Sequence, residues 1–501
     1  MTRKQPRLIV PDLARGLALL GIAAANSAQA WMCNSWDAER EPGWTLGGVR
    51  PDSTVDQVLA VFAAMFVHVR GLPMFSTLLG FGIGLIAASL VRKGYPRGAA
   101  RRVIARRYFF LAVFGLVHMF LLFHGDIMAI YGVVGLIISL LFALSTKVLR
   151  IIAYVVMVGY AAFTTLGAVM SYAVSADFFE APVLTPDMTS LGTYYRVNTE
   201  EALSMLGALP YAAVQLGSLA LLGFIWAREG YLADVSAHRR TLITWTVIAA
   251  VVALAVGLPW GLAATGVLNP DLESPLYLLN QAFGPFTGPG ILAATALATS
   301  GIQRRMYEQY AAGEDPTPPS WVYPFVALGK RSMSGYLAQS ILFVALVMPF
   351  TLGIGQGASI GGKMAVAILV WAISLALATV LEARGIQGPF EWLHRHLSYG
   401  KTGQLEPFHT RTIGAMADSD PIKDRELYEK LREEGNSTSK SAAIANAAAK
   451  TSRSDVGKKG GKAGSYEDWT KEELYDRAQE LDIEGRSTMS KEELIKALRH
   501  G

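Results

Sequence analysis

Cysteine is nearly absent: Cys33 is the one thiol in 501 residues. A single thiol cannot close an internal disulfide, and no Cys/His cluster has the spacing of a zinc site, so no metal is expected. Charge is also scarce, and unevenly so. Only 17% of the residues are Asp, Glu, Lys or Arg, against about 25% in soluble chains. The last 101 residues hold 37 of the 85 charges, and the first 400 hold the other 48. The chain therefore joins an apolar body to a polar tail. The net charge of +5 divides into +6 for the body and −1 for the tail, so the basic balance does not mark a nucleic-acid-binding body. On an apolar, multi-span chain, positive charge marks cytoplasmic loops. No cleavable leader is expected, because the first apolar stretch holds Asp12 and Arg15 and reads as a retained helix.

What the body does have is long hydrophobic runs. A membrane span needs about 20 mostly apolar residues, and ten stretches qualify: roughly 13–31, 73–91, 108–123, 127–144, 151–174, 208–227, 242–264, 276–300, 336–353 and 363–382. The expected fold is all-α, a polytopic transmembrane helical bundle of about ten spans with both termini in the cytoplasm. The run 55–72 is apolar but holds Asp56, Gln57, His68 and Arg70 and meets Pro73. It reads as an interfacial or re-entrant helix. Charge supports that choice: with ten spans the cytoplasmic segments hold 21 Lys/Arg and the outer ones four. An eleventh span would place the seven cations of 92–107 outside, against the positive-inside rule. Two outer loops, 32–54 and 175–203, mix aromatics with acids. They read as an aromatic belt with solvated loops, or as a lid over an outward-facing cavity.

Ionisable groups inside a membrane are costly and therefore informative. Asp12 and Arg15 open the first span and Asn26 follows. His118 lies near the outer end of the third span, the turn after it is His124-Gly125-Asp126, and Tyr131 follows in the fourth. The hairpin can bring imidazole and carboxylate to one place. A His oriented by an Asp is suited to general-base work, because its pKa lies near physiological pH. The bland alternative is that His118 bonds a neighbouring helix and Asp126 caps the next one. Arg15 either anchors at the interface or pairs with a carboxylate. His68 and Arg70 sit on the interfacial run. Gly80-Phe81-Gly82-Ile83-Gly84 has no strand context for a nucleotide loop and reads as a close helix-packing face.

With those residues in place, the chain resembles the bacterial YeiB-like membrane proteins, a family whose conserved region was named as a domain of unknown function. The likeness rests on Asp12-Leu13-Ala14-Arg15-Gly16 through Ile22 with Asn26, and on Met74-Phe75-Ser76-Thr77-Leu78-Leu79-Gly80-Phe81-Gly82. It continues through the run from Arg106-Arg107 past Gly115, His118 and Asp126 to Tyr131. The last block is Gly329-Lys330-Arg331-Ser332-Met333-Ser334-Gly335-Tyr336-Leu337-Ala338-Gln339-Ser340, closed by Gly388-Pro389-Phe390-Glu391-Trp392. The family is distantly similar to membrane acyltransferases. That resemblance implies catalytic roles for His118 and Asp126 and a substrate path past Arg15, Asn26, Tyr131, His124 and Arg70. It implies an acyl-CoA donor, not a bound cofactor, with its phosphates held by Arg101, Arg102, Arg106 and Arg107, and a lipid or sugar acceptor. An orientation signal is the plainer reading of those four arginines. The family is also regarded as transport-related, so a transporter of a small solute or lipid is the rival. The expected home is the bacterial plasma (inner) membrane, with the lipid bilayer as its partner.

The division expected is 1–400 for the transmembrane domain, 401–465 for a cytoplasmic linker with helical and basic flexible parts, and 466–501 for a small module. Thr470 with Glu473 and Ser490 with Glu493 each form a capping-box pattern before a short apolar face. The pair resembles the Rho termination factor N-terminal or SAP-like helix–extension–helix module, whose relatives bind nucleic acid. Here acids match or outnumber bases, so nucleic-acid binding is weakly supported and a protein partner or a passive appendage is favoured. A third reading of the whole chain is a membrane tether for this tail.

Overall fold

Apolar runs broken by small residues, and by proline at defined points, decide where helices form and how closely they pack. The structure is a computed structural model that describes residues 7–32, 43–173, 188–408, 425–434, 441, 444–445, 466–480, 486 and 489–500. It divides into two compact units, Met1–Pro407 and Phe408–Gly501. Among the described residues the secondary structure is helical, without strands.

The first unit begins with α1 (Ile9–Asn26), prolonged by a π turn to Trp31, then α2 (Thr54–Phe66), α3 (Gly71–Arg92), α4 (Arg97–Leu121), α5 (Met128–Leu141), α6 (Thr146–Ala173) and α7 (Leu191–Glu229). It continues with α8 (Arg239–Val252), joined through a π turn to α9 (Leu258–Ala264), then α10 (Glu273–Phe283), α11 (Thr287–Ala311), α12 (Tyr323–Lys330), α13 (Ser332–Val347), α14 (Ile360–Ala383) and α15 (Pro389–Tyr399). Among the described residues, seven segments are long and apolar enough to cross a membrane: Ile9–Trp31, Thr54–Arg92, Arg97–Leu121, Thr146–Ala173, Leu191–Glu229, Arg239–Ala264 and Ile360–Ala383. Two shorter apolar helices are α5 and α13. The stretch 276–300, expected as one span, is divided between α10 and α11 by a 3-10 turn at Gly284–Phe286. Pro285 lacks the amide that an uninterrupted α-helix needs there. On α6, Val155, Val158, Phe163 and Leu166 are more than half exposed, the apolar face a bilayer covers.

The run 55–72 becomes α2, a break, and the start of α3. Val69 has φ +58° at the break, a left-handed conformation unfavourable for a β-branched residue. Arg70 closes the gap. Its guanidinium donates to the carbonyls of Met65 (2.8 Å), Val69 (3.1 Å) and Ala64 (3.2 Å) and to Asn280 Oδ1 (2.8 Å). These carbonyls belong to the end of α2 and the break, where helix geometry leaves acceptors unmet.

Helix pairs meet through glycine. A Cβ on Gly80 of α3 would lie 1.7 Å from the Ala220 carbonyl oxygen of α7, and one on Gly223 of α7 would lie 1.8 Å from that of Thr77. Gly329 of α12 and Gly16 of α1 make the same kind of seam, at 1.7 Å from the Asp12 oxygen and 2.2 Å from the Phe325 oxygen. Backbones this close allow dispersion contact where no hydrophobic drive exists between helices.

In the second unit, α16 (Arg425–Glu433) is followed by α17 (Lys471–Glu480) and α18 (Lys491–His500). Leu474, Ala478, Leu494 and Leu498 are buried between the last two, with Trp469 and Ile495 packed beside them. Both capping boxes form: Glu473 accepts from the Thr470 N–H at 2.8 Å, and Glu493 from the Ser490 N–H at 2.7 Å. These bonds hold both exposed carboxyls below their ordinary values. The basic connector 450–465, Cys33, and the acids expected at Asp37, Glu39, Glu41, Asp177, Glu180 and Asp187 lie outside the described residues.

Candidate functional site

The α4–α5 hairpin is built to close tightly. Gly115 allows it, since a Cβ there would sit 1.9 Å from the Ala129 backbone nitrogen and 2.6 Å from Asp126 Oδ1. His118 is on the last turn of α4, and Asp126 is in the turn that follows. Asp126 serves both helices. Its Oδ1 accepts from the Ala129 N–H at 2.7 Å, capping α5, and its Oδ2 accepts from His118 Nδ1 at 2.6 Å. Asp126 thus bonds the histidine with one oxygen and caps α5 with the other, and His118 also bonds Ser340 of a neighbouring helix, as the plainer alternative has it.

A proton on Nδ1 leaves Nε2 with a lone pair. The hydroxyl of Ser340, from α13, lies 2.9 Å from it and is placed to donate. His118, Asp126 and Ser340 are 2%, 2% and 3% exposed. The His118 ring lies 5.2 Å from that of Tyr336. Beyond Phe123, Trp31 stacks between Phe123 and Phe343 at 4.4 and 5.3 Å. Burial pushes the Asp126 carboxyl up, while the His118 hydrogen bond and the backbone N–H of Ala129 act in the opposite direction. A low local dielectric strengthens a fully partnered polar chain of this kind.

One turn of α13 before Ser340, Tyr336 forms part of the wall of a cavity of about 500 Å³. The cavity runs from Tyr131 and Tyr336 to Arg7 and Arg395. Six cations line it (Arg7, Arg15, Arg107, Lys330, Arg331 and Arg395) against three carboxylates. Asp12 pairs with Arg7 at 3.0 Å and Arg15 at 3.5 Å. Glu382 pairs with Lys330 and Arg331. Glu391 caps α13 instead, accepting from the N–H groups of Met333 (2.8 Å) and Ser334 (3.0 Å). Arg107 donates to the Tyr399 hydroxyl at 3.1 Å, and its buried Nε has no hydrogen-bond partner. The chamber thus carries surplus positive charge and an unmet buried donor, which suit an anion. His394 of α15 donates from Nε2 to the Arg107 carbonyl at 2.8 Å. Burial, and after it the nearby Arg107 charge, lower its pKa to about 3.

Of the residues singled out in the sequence, Arg15, Tyr131 and Arg107 line this chamber. His118 and Asp126 form a pair beyond its Tyr336 end. Arg101, Arg102 and Arg106 are exposed on α4 and do not line it. Asn26 is half-buried at the end of α1, away from the lining. His124 lies in the hairpin turn, its backbone N–H bonded to Asn198 Oδ1 at 2.7 Å; burial lowers its pKa to about 4. Arg70 is committed to the α2 break. Reading the sequence did not single out Ser340, Glu382, Arg395 or His394 as site residues, although Ser340 ends the fourth block. Among the described residues, no group of three or more His, Cys, Asp or Glu could hold a metal ion.

Over 413 aligned residues the chain is 24% identical to the uncharacterized protein YeiB of Escherichia coli (strain K12), covering 79% of this chain and 97% of that one. A similar likeness, 24% over 428 residues and 79% and 96% of the two chains, relates it to the uncharacterized protein YxaH of Bacillus subtilis (strain 168). Residues 226–401 match the model of a family described as protein of unknown function (DUF418). This match takes in α13 and α15 but not the α4–α5 hairpin. Residues 418–464 match a family of unknown function, DUF7218. That segment precedes α17 and α18, and the family is a different one from the Rho-type module expected for this end of the chain. No solved structure matches the chain.

Proposed function

We propose that the YeiB-like body is an acyltransferase-like protein of the bacterial plasma membrane. In this reading an acyl-CoA donor occupies the cation-lined chamber from the cytoplasmic side, and a lipid or sugar hydroxyl accepts the acyl group. His118 is the general base and Asp126 fixes its tautomer and orientation. The observation that carries the reading is a buried His–Asp pair, bonded at 2.6 Å, whose imidazole lies 5.2 Å from the ring of Tyr336 in the wall of a chamber with six cations and three carboxylates. A base placed in this way contributes about 100- to 10,000-fold. The surplus positive charge meets the phosphates of the donor, with Arg107 and Arg395 in place of the exposed Arg101 and Arg102. The positive-inside rule supports an inward-facing chamber and a cytoplasmic tail. For the tail, the balance of acids and bases favours a protein partner over nucleic acid.

The test is acyl-CoA binding by the purified full-length protein in detergent, followed by calorimetry. Saturable binding is expected, weakened about tenfold or more by Arg107→Ala/Arg395→Ala through lost charge-assisted contacts. Arg101→Ala/Arg102→Ala should leave it unchanged. No binding of acetyl-, succinyl- or long-chain acyl-CoA would sink the reading and favour the transporter.

A further inference from the structure

We propose that Ser340 is a nucleophile that carries the acyl group covalently between donor and acceptor. This rests on the acyltransferase reading of the same site and goes beyond it. The geometry supplies the argument. Nε2 of His118 is the nitrogen that must take a proton, because Nδ1 is engaged by Asp126. Nε2 already faces the Ser340 hydroxyl at 2.9 Å. An acceptor hydroxyl using that lone pair directly would first have to displace the serine, whereas the serine needs no displacement. A nucleophile bonded to a base, and a base bonded to an orienting carboxylate, is the arrangement that activates a hydroxyl near neutral pH. All three side chains are buried, which shields an ester from water.

The first step joins Ser340 Oγ to the carbonyl carbon of the thioester and breaks the carbon–sulfur bond. The Oγ proton passes to His118 Nε2 and from there to the departing thiolate, so free CoA thiol leaves. In the second step the oxygen of the acceptor hydroxyl bonds to the acyl carbon and the Ser340 ester bond breaks. The acceptor proton passes through Nε2 back to Ser340 Oγ. No electrons are exchanged, and each proton is accounted for. A covalent relay also suits the location: Ser340 lies one turn past the chamber wall, so the donor can leave the chamber before the acceptor arrives.

The experiment is labelling of the detergent-purified full-length protein with a fluorophosphonate, which modifies activated serines without any acyl-CoA. The adduct is mapped by peptide mass spectrometry in wild type, Ser340→Ala, His118→Ala and His118→Gln, each checked for folding by thermal melting. The expected result is an adduct on Ser340, absent in Ser340→Ala and slowed at least about 100-fold in whichever His118 variant folds. No adduct on Ser340 in the folded wild type overturns the proposal, as does an adduct that forms equally fast without His118. Because the probe is not a CoA ester, failure here and failure of donor binding are read separately. Binding without the adduct removes the covalent relay alone, and the adduct without binding removes the acyl-CoA donor alone.

Discussion

Two histidines are equally buried in the membrane body, and they are used differently. His68 and His118 are each 2% exposed. His118 has both ring nitrogens bonded, one to a carboxylate and one to a hydroxyl. His68 lies edge-on to Trp260 at 5.6 Å, and its Nδ1 has no hydrogen-bond partner. Its neighbour Arg70 supports backbone carbonyls and an amide, not a reacting group. Burial of a titratable ring is therefore common to both places. What separates them is whether its partners can accept, pass on and return a proton.

The sharpest way to break this comparison is to remove each ring in turn. His118→Ala should lower release of CoA thiol from an acyl-CoA in the presence of membrane lipid by at least about 100-fold. His68→Ala should leave the rate near wild type. Equal losses would make the two sites equivalent and end the distinction. Next in size is Arg70→Ala, which takes the donor from three carbonyls and from Asn280. Two of these bonds, to the Ala64 carbonyl and Asn280 Oδ1, are buried, so at about 1–3 kcal/mol for each acceptor left unmet unfolding in detergent should become easier by about 2 kcal/mol or more. An unchanged melting point would show that the α2 break does not depend on this guanidinium. The smallest effect is expected from Val69→Gly. Relief of about 1–2 kcal/mol of left-handed strain, offset by about 0.5–1 kcal/mol of added chain entropy, predicts slightly higher stability. A loss would mean that the valine side chain matters more than its backbone.

The pairing of His118 with Asp126 was legible because both sit on one hairpin, eight residues apart. Ser340 comes from 222 residues away, and nothing in the spacing of a single chain brings α13 to α4. The arginines of α4 are a case of helical phase. Ile104, Tyr108, Leu111, Gly115 and His118 are its buried stripe, at intervals of four and three residues. Arg107 borders that stripe and Arg102 and Arg106 point away from it, whereas Arg101 is exposed because it lies near the start of the helix. Counting cations along the segment grouped them, whereas phase separates them. The division of 276–300 by Pro285 was present in the sequence too. A hydropathy window averages over such a proline, and the hydrogen-bond ladder does not. The apolar-body and polar-tail contrast was plain from composition, because lipid-facing surface and water-facing surface demand different side chains.

The glycine seams also bear on how quickly anything can leave the chamber. Where α1 meets α12 beside the chamber, backbone lies against backbone at Gly16 and Gly329, and a glycine has no side chain to swing aside through rotamer changes. That seam cannot open by small steps. Glu391, His394, Arg395 and Tyr399 belong to α15, a helix of 11 residues held to its neighbours through polar side chains, with Ser334 accepting from the Phe390 N–H and His394 bonded to the Arg107 carbonyl. If acyl-CoA binds there as proposed, its residence time, and with it the ceiling on turnover, is expected to follow how often that short helix shifts.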